Sequence, residues 1–257
     1  MPSRTAVLVL VLAGLGACTL AERCPDPSLR PARAPLVQPR PEAEARLALV
    51  ELAYEEWRRF GQPTITWRGP GSGERQAGLS DRDARGAAMV AGYWRTLGHD
   101  WPERRCATPW SATFVSQLMI RAGVGAREFE PAAAHWIYLR AIAAQAQDPT
   151  ARFRIVAPDR IAPRPGDLIC HGRGIGRRGF DAANIPEGAP LHCDLVVANR
   201  DGWLDAIGGN VSGAVTLSRR PVDAAGRLPA ASDQPWFAVV SNRLGETAAP
   251  PRPGPTS

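Results

Sequence analysis

The chain has 257 residues, of which 44% are hydrophobic, and this length fits one domain with tails better than two domains. All 31 basic residues are arginine, and the formal net charge is +6. The lack of lysine excludes a Walker A phosphate loop, a lysine Schiff base and a Ser–Lys dyad. The arginines are scattered without an aromatic-interleaved stripe, so the charge does not indicate nucleic-acid binding.

The N-terminus has the pattern of an export signal. Arg4 precedes the apolar run AVLVLVLAGLGAC, which is too short to cross a bilayer as a mature helix. Its end, LGAC, resembles a bacterial lipobox, which implies cleavage before Cys18 and lipidation of that cysteine; an ordinary signal peptide or an uncleaved anchor is the alternative. We expect residues 1–17 to be a lipoprotein signal peptide. The mature protein is then exported and lipid-anchored on the periplasmic side of the bacterial envelope, at the outer membrane.

Both ends of the mature chain are rich in proline. The segment PDPSLRPARAPLVQPRPE reads as a semi-rigid spacer, and ETAAPPRPGPTS reads as a frayed tail. We predict a spacer over residues 18–43, one domain over 44–243 and a disordered tail over 244–257.

Within the domain, helical periodicity comes first and strand patterns follow. Four helices are predicted, over residues 42–61, 83–98, 109–123 and 130–146. Five strands separated by Gly- or Pro-bearing turns are predicted, over residues 166–171, 192–199, 202–210, 213–219 and 235–242. Helices followed by a run of antiparallel strands indicate an α+β fold.

The third helix, PWSATFVSQLMIRAG, opens with a serine on its apolar side. Ser111 lies four residues before Val115 and therefore shares its face. With Thr108 as N-cap and Pro109 as the first helical residue, Ser111 falls in the first turn. Unpaired N–H groups and the helix dipole favour negative charge there. The alternative is that a small residue closes the helix entry or serves as an auxiliary cap.

A histidine and an asparagine lie on consecutive predicted strands. A three-residue loop over 200–202 would pair Asn199 with Trp203 and set His192 opposite Asn210 on one face. A two-residue loop would turn Asn210 to the other face unless the two glycines of IGGN form a bulge. In the first register the asparagine orients the histidine, an arrangement typical of papain-like hydrolases.

Three segments, TPWSATFVSQLMIRAG, PRPGDLICH and HCDLVVANRDGWLDAIGGN, carry a family resemblance. Together they resemble the NlpC and CHAP group of papain-like cell-wall cysteine peptidases and, more closely, the bacterial family called domain of unknown function 2272. The resemblance covers about residues 45–242. It implies a papain-like α+β fold in which N-terminal helices pack on an antiparallel sheet.

In the active relatives this helix opens with a cysteine, and the matching residue here is Ser111. The family's histidine maps onto His192 and its third polar residue onto Asn210. The resemblance implies Ser111 as nucleophile, His192 as general base and Asn210 as its orienting partner. A hydroxyl is far less acidic than a thiol, so it needs a well-placed base and an oxyanion hole.

The resulting expectation is an amide hydrolase directed at peptidoglycan or its peptides, without a cofactor or a nucleic-acid partner. The alternative is an inactive cell-wall-binding or scaffolding lipoprotein on the same fold. Trp110, His135 and Asp194 are candidate substrate-binding residues. His135 is otherwise a partly buried histidine with one hydrogen bond, and Asp194 shares the face of His192 and can support it.

The remaining four cysteines predict disulfides, as is common in exported chains. Cys170 and Cys193 lie near facing ends of two neighbouring strands, so we pair them, which leaves Cys24 for Cys106. The cysteines, histidines and aspartate at these strand ends can also be read as a zinc site. Adjacent strand residues point to opposite faces, however, so few of them can converge, and we predict no metal.

Overall fold

A computed structural model describes residues 40–69, 73–100, 108–174, 180–229 and 234–246. Within these ranges the chain forms four helices and one eight-stranded mixed sheet, so the predicted α+β class is confirmed. The helices are α1 (Glu42–Arg59), α2 (Ala84–Thr96), α3 (Ser111–Arg121) and α4 (His135–Ala144). The strands are β1 (Thr64–Trp67), β2 (Gly73–Gln76), β3 (Phe153–Val156), β4 (Leu168–Gly172), β5 (Leu191–Arg200), β6 (Trp203–Val211), β7 (Ala214–Pro221) and β8 (Trp236–Asn242).

The strand order is β2-β1-β7-β6-β5-β4-β8-β3. The five predicted strands are antiparallel neighbours in the centre, but β1 pairs with β7 in parallel. The expectation of a purely antiparallel sheet is therefore wrong at this edge. The three outer strands, β1, β2 and β3, were not predicted, because each has only four residues and shows no sustained alternation of apolar and polar side chains.

The hairpin between β5 and β6 differs from the predicted one. Arg200 faces Trp203, and the loop consists of Asp201 and Gly202 with φ of 55° and 76°, which is the two-residue type with left-handed residues. An irregularity around Val197 then shifts the pairing by one residue. Beyond it Leu195 faces Ile207, the pairing that the three-residue loop would have given.

Helix α3 is the central helix of the fold. It contacts β5 and β6 on one side and α1 and α2 on the others. Its first ten residues, from Ser111 to Ile120, are all buried. Burial of each large apolar side chain, such as Phe114 or Leu118, stabilises the fold by about 1.5–3 kcal/mol. The apolar packing therefore holds the start of α3, and with it Ser111, against the sheet.

A buried carboxylate ties α1 to its two neighbouring helices. Glu56 on α1 is fully buried and accepts hydrogen bonds from Tyr93 on α2 at 2.6 Å and from Arg121 on α3 at 2.6 Å. Arg59 donates to the same carboxylate at 2.8 Å. These three partners compensate the cost of burying the charge, so removing one of them would leave the buried carboxylate only partly compensated.

Cys170 and Cys193 form a disulfide between directly opposed positions of β4 and β5, which confirms the predicted pairing. Cys18, Cys24 and Cys106 lie outside the described residues, as do the predicted signal peptide and most of the spacer and tail. In the part of the chain that the structure covers, no helix is long and apolar enough to cross a membrane.

Candidate active site

A groove of about 270 Å³ opens where the starts of α3 and α4 meet the segment that leads into β5. Most of its wall is apolar, and its polar groups come from a serine, a histidine and an arginine. The lining residues are Pro109, Ser111, Ala112, Ala133, Ala134, His135, Trp136, Arg173, Gly188, Ala189, Pro190 and Leu191.

Ser111 is the first residue of α3. The helix begins two residues later than predicted, with Trp110 at the N-cap position and no side-chain cap, so the assignments of Thr108 as cap and Pro109 as first residue are wrong. The backbone N–H of Phe114 makes the first bond of the helix, to the Trp110 carbonyl at 3.0 Å. The N–H groups of the three preceding residues thus have no partner within the helix, and they surround the Ser111 hydroxyl with positive potential.

The Ser111 hydroxyl contacts an imidazole, but not the one that the sequence predicted. Its Oγ lies 2.7 Å from Nε2 of His135, the first residue of α4. The other ring nitrogen of His135, Nδ1, is hydrogen-bonded to the hydroxyl of Tyr138. All three side chains are at least 95% buried. His135, which the sequence suggested as a substrate contact, is therefore a direct partner of Ser111.

Hydrogen bonds between α3 and the chain before α4 hold His135 in this place. Helix α4 begins at His135, five residues later than the sequence predicted, and the residue before it, Ala134, has an extended conformation. The Ser116 hydroxyl donates to the Ala132 carbonyl at 2.8 Å and accepts from the Ala132 N–H at 2.9 Å. These two bonds satisfy the backbone of Ala132 and fix where α4 begins.

A second pair lies beside the first. His192 on β5 is hydrogen-bonded through Nε2 to Oδ1 of Asp194 at 2.7 Å. Its ring centroid lies 5.7 Å from that of His135. Asp194 is 2% exposed, and burial by itself would raise its pKa. The interaction and hydrogen bond with His192, together with the nearby Arg220 and His171, outweigh burial and hold the pKa of this carboxyl at about 2. Asp194 thus orients His192 and does not line the groove.

The predicted chain of hydrogen bonds from Ser111 through His192 to Asn210 is not formed. Nδ1 of His192 is buried and has no hydrogen-bond partner among the described residues. Asn210 has a left-handed φ of 58° within an irregularity of β6 between Gly208 and Val211. The asparagine thus lies in a bulge and not at a regular strand position, the possibility that the two glycines of IGGN had left open.

The histidines around the site are buried bases. Burial lowers the pKa of His135 well below its usual value, and the neighbouring His192 and Arg173 lower it further. Burial also lowers the pKa of His171 to about 3; its ring packs between those of His192 and Trp236, with centroids at 5.2 and 5.1 Å. His135 and His171 are therefore uncharged at neutral pH.

Trp110 does not contact the groove. It is 1% exposed, packs against the rings of Phe60 and Tyr93, and donates its indole N–H to Asp81 at 3.0 Å. The ring faces the core and anchors the start of α3, so Trp110 is not among the residues that line the groove. The aromatic side chain that lines the groove is Trp136, which the sequence analysis did not single out.

No group of three or more His, Cys, Asp or Glu side chains that could hold a metal ion occurs in the described ranges. The zinc reading of the strand ends also fails on chemistry. Cys170 and Cys193 are bonded to each other and cannot offer thiolates to a metal.

These features define an α+β protein whose groove holds a serine–histidine contact at a helix N-terminus. The model of a bacterial family, described as "uncharacterized protein conserved in bacteria" (DUF2272), matches residues 57–242, and the chain belongs to this family. Comparisons with curated proteins and with solved structures gave no significant match.

Proposed function

We propose that the protein is a papain-like hydrolase of the NlpC and CHAP type that cleaves amide bonds in peptidoglycan peptides. The observation that carries this proposal is the position of Ser111. Its hydroxyl lines a groove, lies in the first turn of a buried helix and contacts an imidazole at 2.7 Å. A nucleophile, nearby titratable rings and unpaired N–H donors are the groups that acyl transfer requires.

The general base in this proposal is His192, acting through Nδ1. Asp194 accepts the hydrogen bond from Nε2 and so leaves the Nδ1 lone pair available; the roles are those of an Asp–His pair in serine hydrolases with the two ring nitrogens exchanged. The burial that lowers the pKa of His135 makes that ring the poorer base. Contact between Ser111 and His192 must then tighten when substrate binds. Asp194 takes the orienting role expected of Asn210.

The reaction conserves atoms and charge in two steps. The Ser111 oxygen attacks the amide carbonyl carbon while its proton passes to His192, and the N–H groups at the start of α3 stabilise the oxyanion. The C–N bond then breaks, and the leaving amine takes the proton from His192. Water, deprotonated by the same ring, hydrolyses the resulting ester and restores the Ser111 hydroxyl.

The groove favours a substrate with one anionic group on an otherwise apolar chain. Among the described residues Arg173 has no ion-pair partner, although its side chain is partly buried in the groove wall. Trp136 and several alanines supply the apolar surface. We infer that Arg173 binds a carboxylate of the wall peptide. The signal-peptide pattern supports a lipid-anchored protein that meets this substrate in the periplasm.

The alternative is a wall-binding or scaffolding lipoprotein without activity. It is favoured by the absence of a hydrogen bond from His192 Nδ1 to any described residue, the Ser111 hydroxyl included. In that case the groove binds wall peptides through Arg173 and Trp136 and cleaves nothing.

Digestion of purified cell wall, with the products identified by mass, tests the proposal. The protein should release peptide fragments and Ser111→Ala should release none. Ser241→Ala, a serine on β8 outside the groove, serves as control and should behave like the parent. A fluorophosphonate, which labels activated serines, should modify Ser111 in the parent only. Binding of wall peptides without release or labelling would favour the scaffolding alternative.

A further inference from the structure

The Tyr138 hydroxyl is a buried hydrogen-bond donor with one acceptor in reach among the described residues. Tyr138 is fully buried, and its one hydrogen-bond partner among the described residues is Nδ1 of His135. Burial and the charge of Asp194 raise the pKa of Tyr138 well above its usual value, so the phenol keeps its proton. An unpaired buried donor costs about 1–3 kcal/mol. The phenol therefore donates to Nδ1, which acts as the acceptor.

This fixes the tautomer of His135. A neutral imidazole carries one N–H, and with Nδ1 accepting from Tyr138 the proton lies on Nε2. Nε2 faces the Ser111 oxygen at 2.7 Å, so the ring donates to the serine. The opposite tautomer would place two donors, the phenol and Nδ1–H, against each other or leave the phenol proton unpaired. The Ser111 hydroxyl keeps its own proton free for a base on another side.

From this geometry we infer that His135 is a neutral hydrogen-bond donor that stabilises the developing alkoxide of Ser111, with Tyr138 fixing its tautomer. The inference rests on the proposed hydrolase function and adds a catalytic residue to it. The donor bond strengthens as negative charge develops on the oxygen, because the site is buried and of low dielectric. It therefore favours the transition state over the resting hydroxyl. The same donor assists when the serine oxygen leaves in the second step.

The arrangement also explains how a serine, rather than a cysteine, can serve as nucleophile at this position. A thiol ionises near pH 8.5 and needs little help, and sulfur is a weak hydrogen-bond acceptor. A hydroxyl is far less acidic and gains most from a donor aimed at its oxygen. Loss of His135 should thus penalise a serine nucleophile much more than a cysteine at the same position.

The tautomer can be tested without any substrate. Nitrogen-15 NMR of the imidazole rings should show His135 uncharged and protonated at Nε2 near pH 7. Tyr138→Phe removes the phenol proton and should reduce that preference. His171, whose Nδ1 lies 2.9 Å from the Gly172 carbonyl, is the matched internal control, because that contact predicts the opposite tautomer, Nδ1–H. Protonation of His135 at Nδ1 in the parent would overturn the inference whatever the activity.

The catalytic part is tested by labelling rates in two backgrounds. His135→Met lacks a donor and should slow fluorophosphonate labelling of Ser111 on the order of 10²-fold, whereas His135→Gln retains an N–H and should recover part of the rate. In a Ser111→Cys protein, probed with iodoacetamide, His135→Met should change the rate by less than about tenfold. If His135→Met slowed labelling by the same factor in the Ser111 and the Ser111→Cys proteins, His135 would only support the fold. An unlabelled parent whose His135 is protonated at Nε2 would overturn the hydrolase proposal and the catalytic role, but not the tautomer.

Discussion

The Asp194 carboxylate occupies the space that a β-carbon on Gly208 would need. One Asp194 oxygen lies 1.7 Å from the ideal position of that β-carbon. The next residue, Gly209, lies equally close to α3: a β-carbon there would come within 2.4 Å of Phe114 and 2.9 Å of Trp110. The two glycines of IGGN therefore allow the aspartate that orients His192, and the helix that carries Ser111, to approach β6.

Gly208→Ala should displace the Asp194 carboxylate and release His192. We expect fluorophosphonate labelling of Ser111 to slow about tenfold or more, and the free energy of unfolding to fall by about 1–3 kcal/mol because the site is overpacked. Stopped labelling reactions and urea titrations measure the two effects. Gly92→Ala on α2 is the control; its β-carbon has an open site, so labelling should not change and the helix should gain up to about 1 kcal/mol. Unchanged labelling in Gly208→Ala would argue against a role for Asp194.

Arg173→Gln should weaken binding of a wall peptide that carries a free carboxylate by about 10–100-fold, since a hydrogen bond to a charged group contributes roughly 1.5–3 kcal/mol. Calorimetry on the Ser111→Ala protein measures this without turnover. The same peptide with its carboxylate amidated should bind parent and variant alike. Arg140→Gln is a matched control at the groove rim, because Arg140 lies over Trp136 and already faces Glu187 at 3.8 Å. If Arg173→Gln weakened binding of the carboxylate peptide and of the amidated peptide by the same factor, recognition of the carboxylate by Arg173 would be excluded.

Acid should destabilise the protein well above the range in which carboxylates titrate. His135 and His171 both have a lowered pKa in the folded state, the latter about 3 against 6.5 in the unfolded chain, so the unfolded state binds more protons below pH 6.5. Their contribution is complete above pH 6.5 and is lost as the pH falls towards 3, at up to about 1.4 kcal/mol per pH unit for each ring.

Urea titrations between pH 7.5 and 4.5 measure this slope, and His171→Gln should reduce it. His99→Gln, which replaces a half-buried histidine beside Trp94, controls for the loss of a histidine elsewhere. If the free energy of unfolding fell with pH as steeply in His171→Gln as in the parent, the idea that His171 is a buried neutral base would be contradicted.

Replacing both Cys170 and Cys193 by alanine should lower the free energy of unfolding by about 2–4 kcal/mol. The bond closes a loop across 23 residues, and both positions are fully buried, so the chain loses a constraint and some packing. Because the two cysteines neighbour His171 and His192, Ser111 labelling should slow as well. Non-reducing peptide mapping of the parent should join the two peptides; free thiols at both positions would contradict the pairing.

Patterns along the chain located the long elements and two of the residues to which we assign a role in the proposed reaction. Helical periodicity predicted α1 and α2, which each bury one face, and α3, whose large apolar residues recur at helical spacing although the helix is buried on all sides. Ser111 was predicted from its place at the start of a helix, and His192 from its place at the start of a strand. The partnership of Ser111 with His135 was not predictable, since it depends on Ser116 holding the backbone of Ala132 across 16 residues. The register shifts of β5 and β6 lie inside the strands, at Val196/Ala198 and Gly208/Val211, and of these the sequence indicated only the glycine pair of IGGN as a possible bulge.

The protein cannot be shortened into α1 without exposing its core. The family match begins at residue 57, two residues before α1 ends, yet Leu49 and Ala53 are fully buried and Glu56 is the carboxylate bound by Arg121. Arg46 also hydrogen-bonds the Asn242 carbonyl at the other end of the domain. A protein trimmed to the family boundary would expose the apolar surface that α1 covers and would remove both carboxylates that pair with Arg121, Glu55 and Glu56. The smallest soluble unit therefore starts at the beginning of α1, and trimming to the match should yield aggregates.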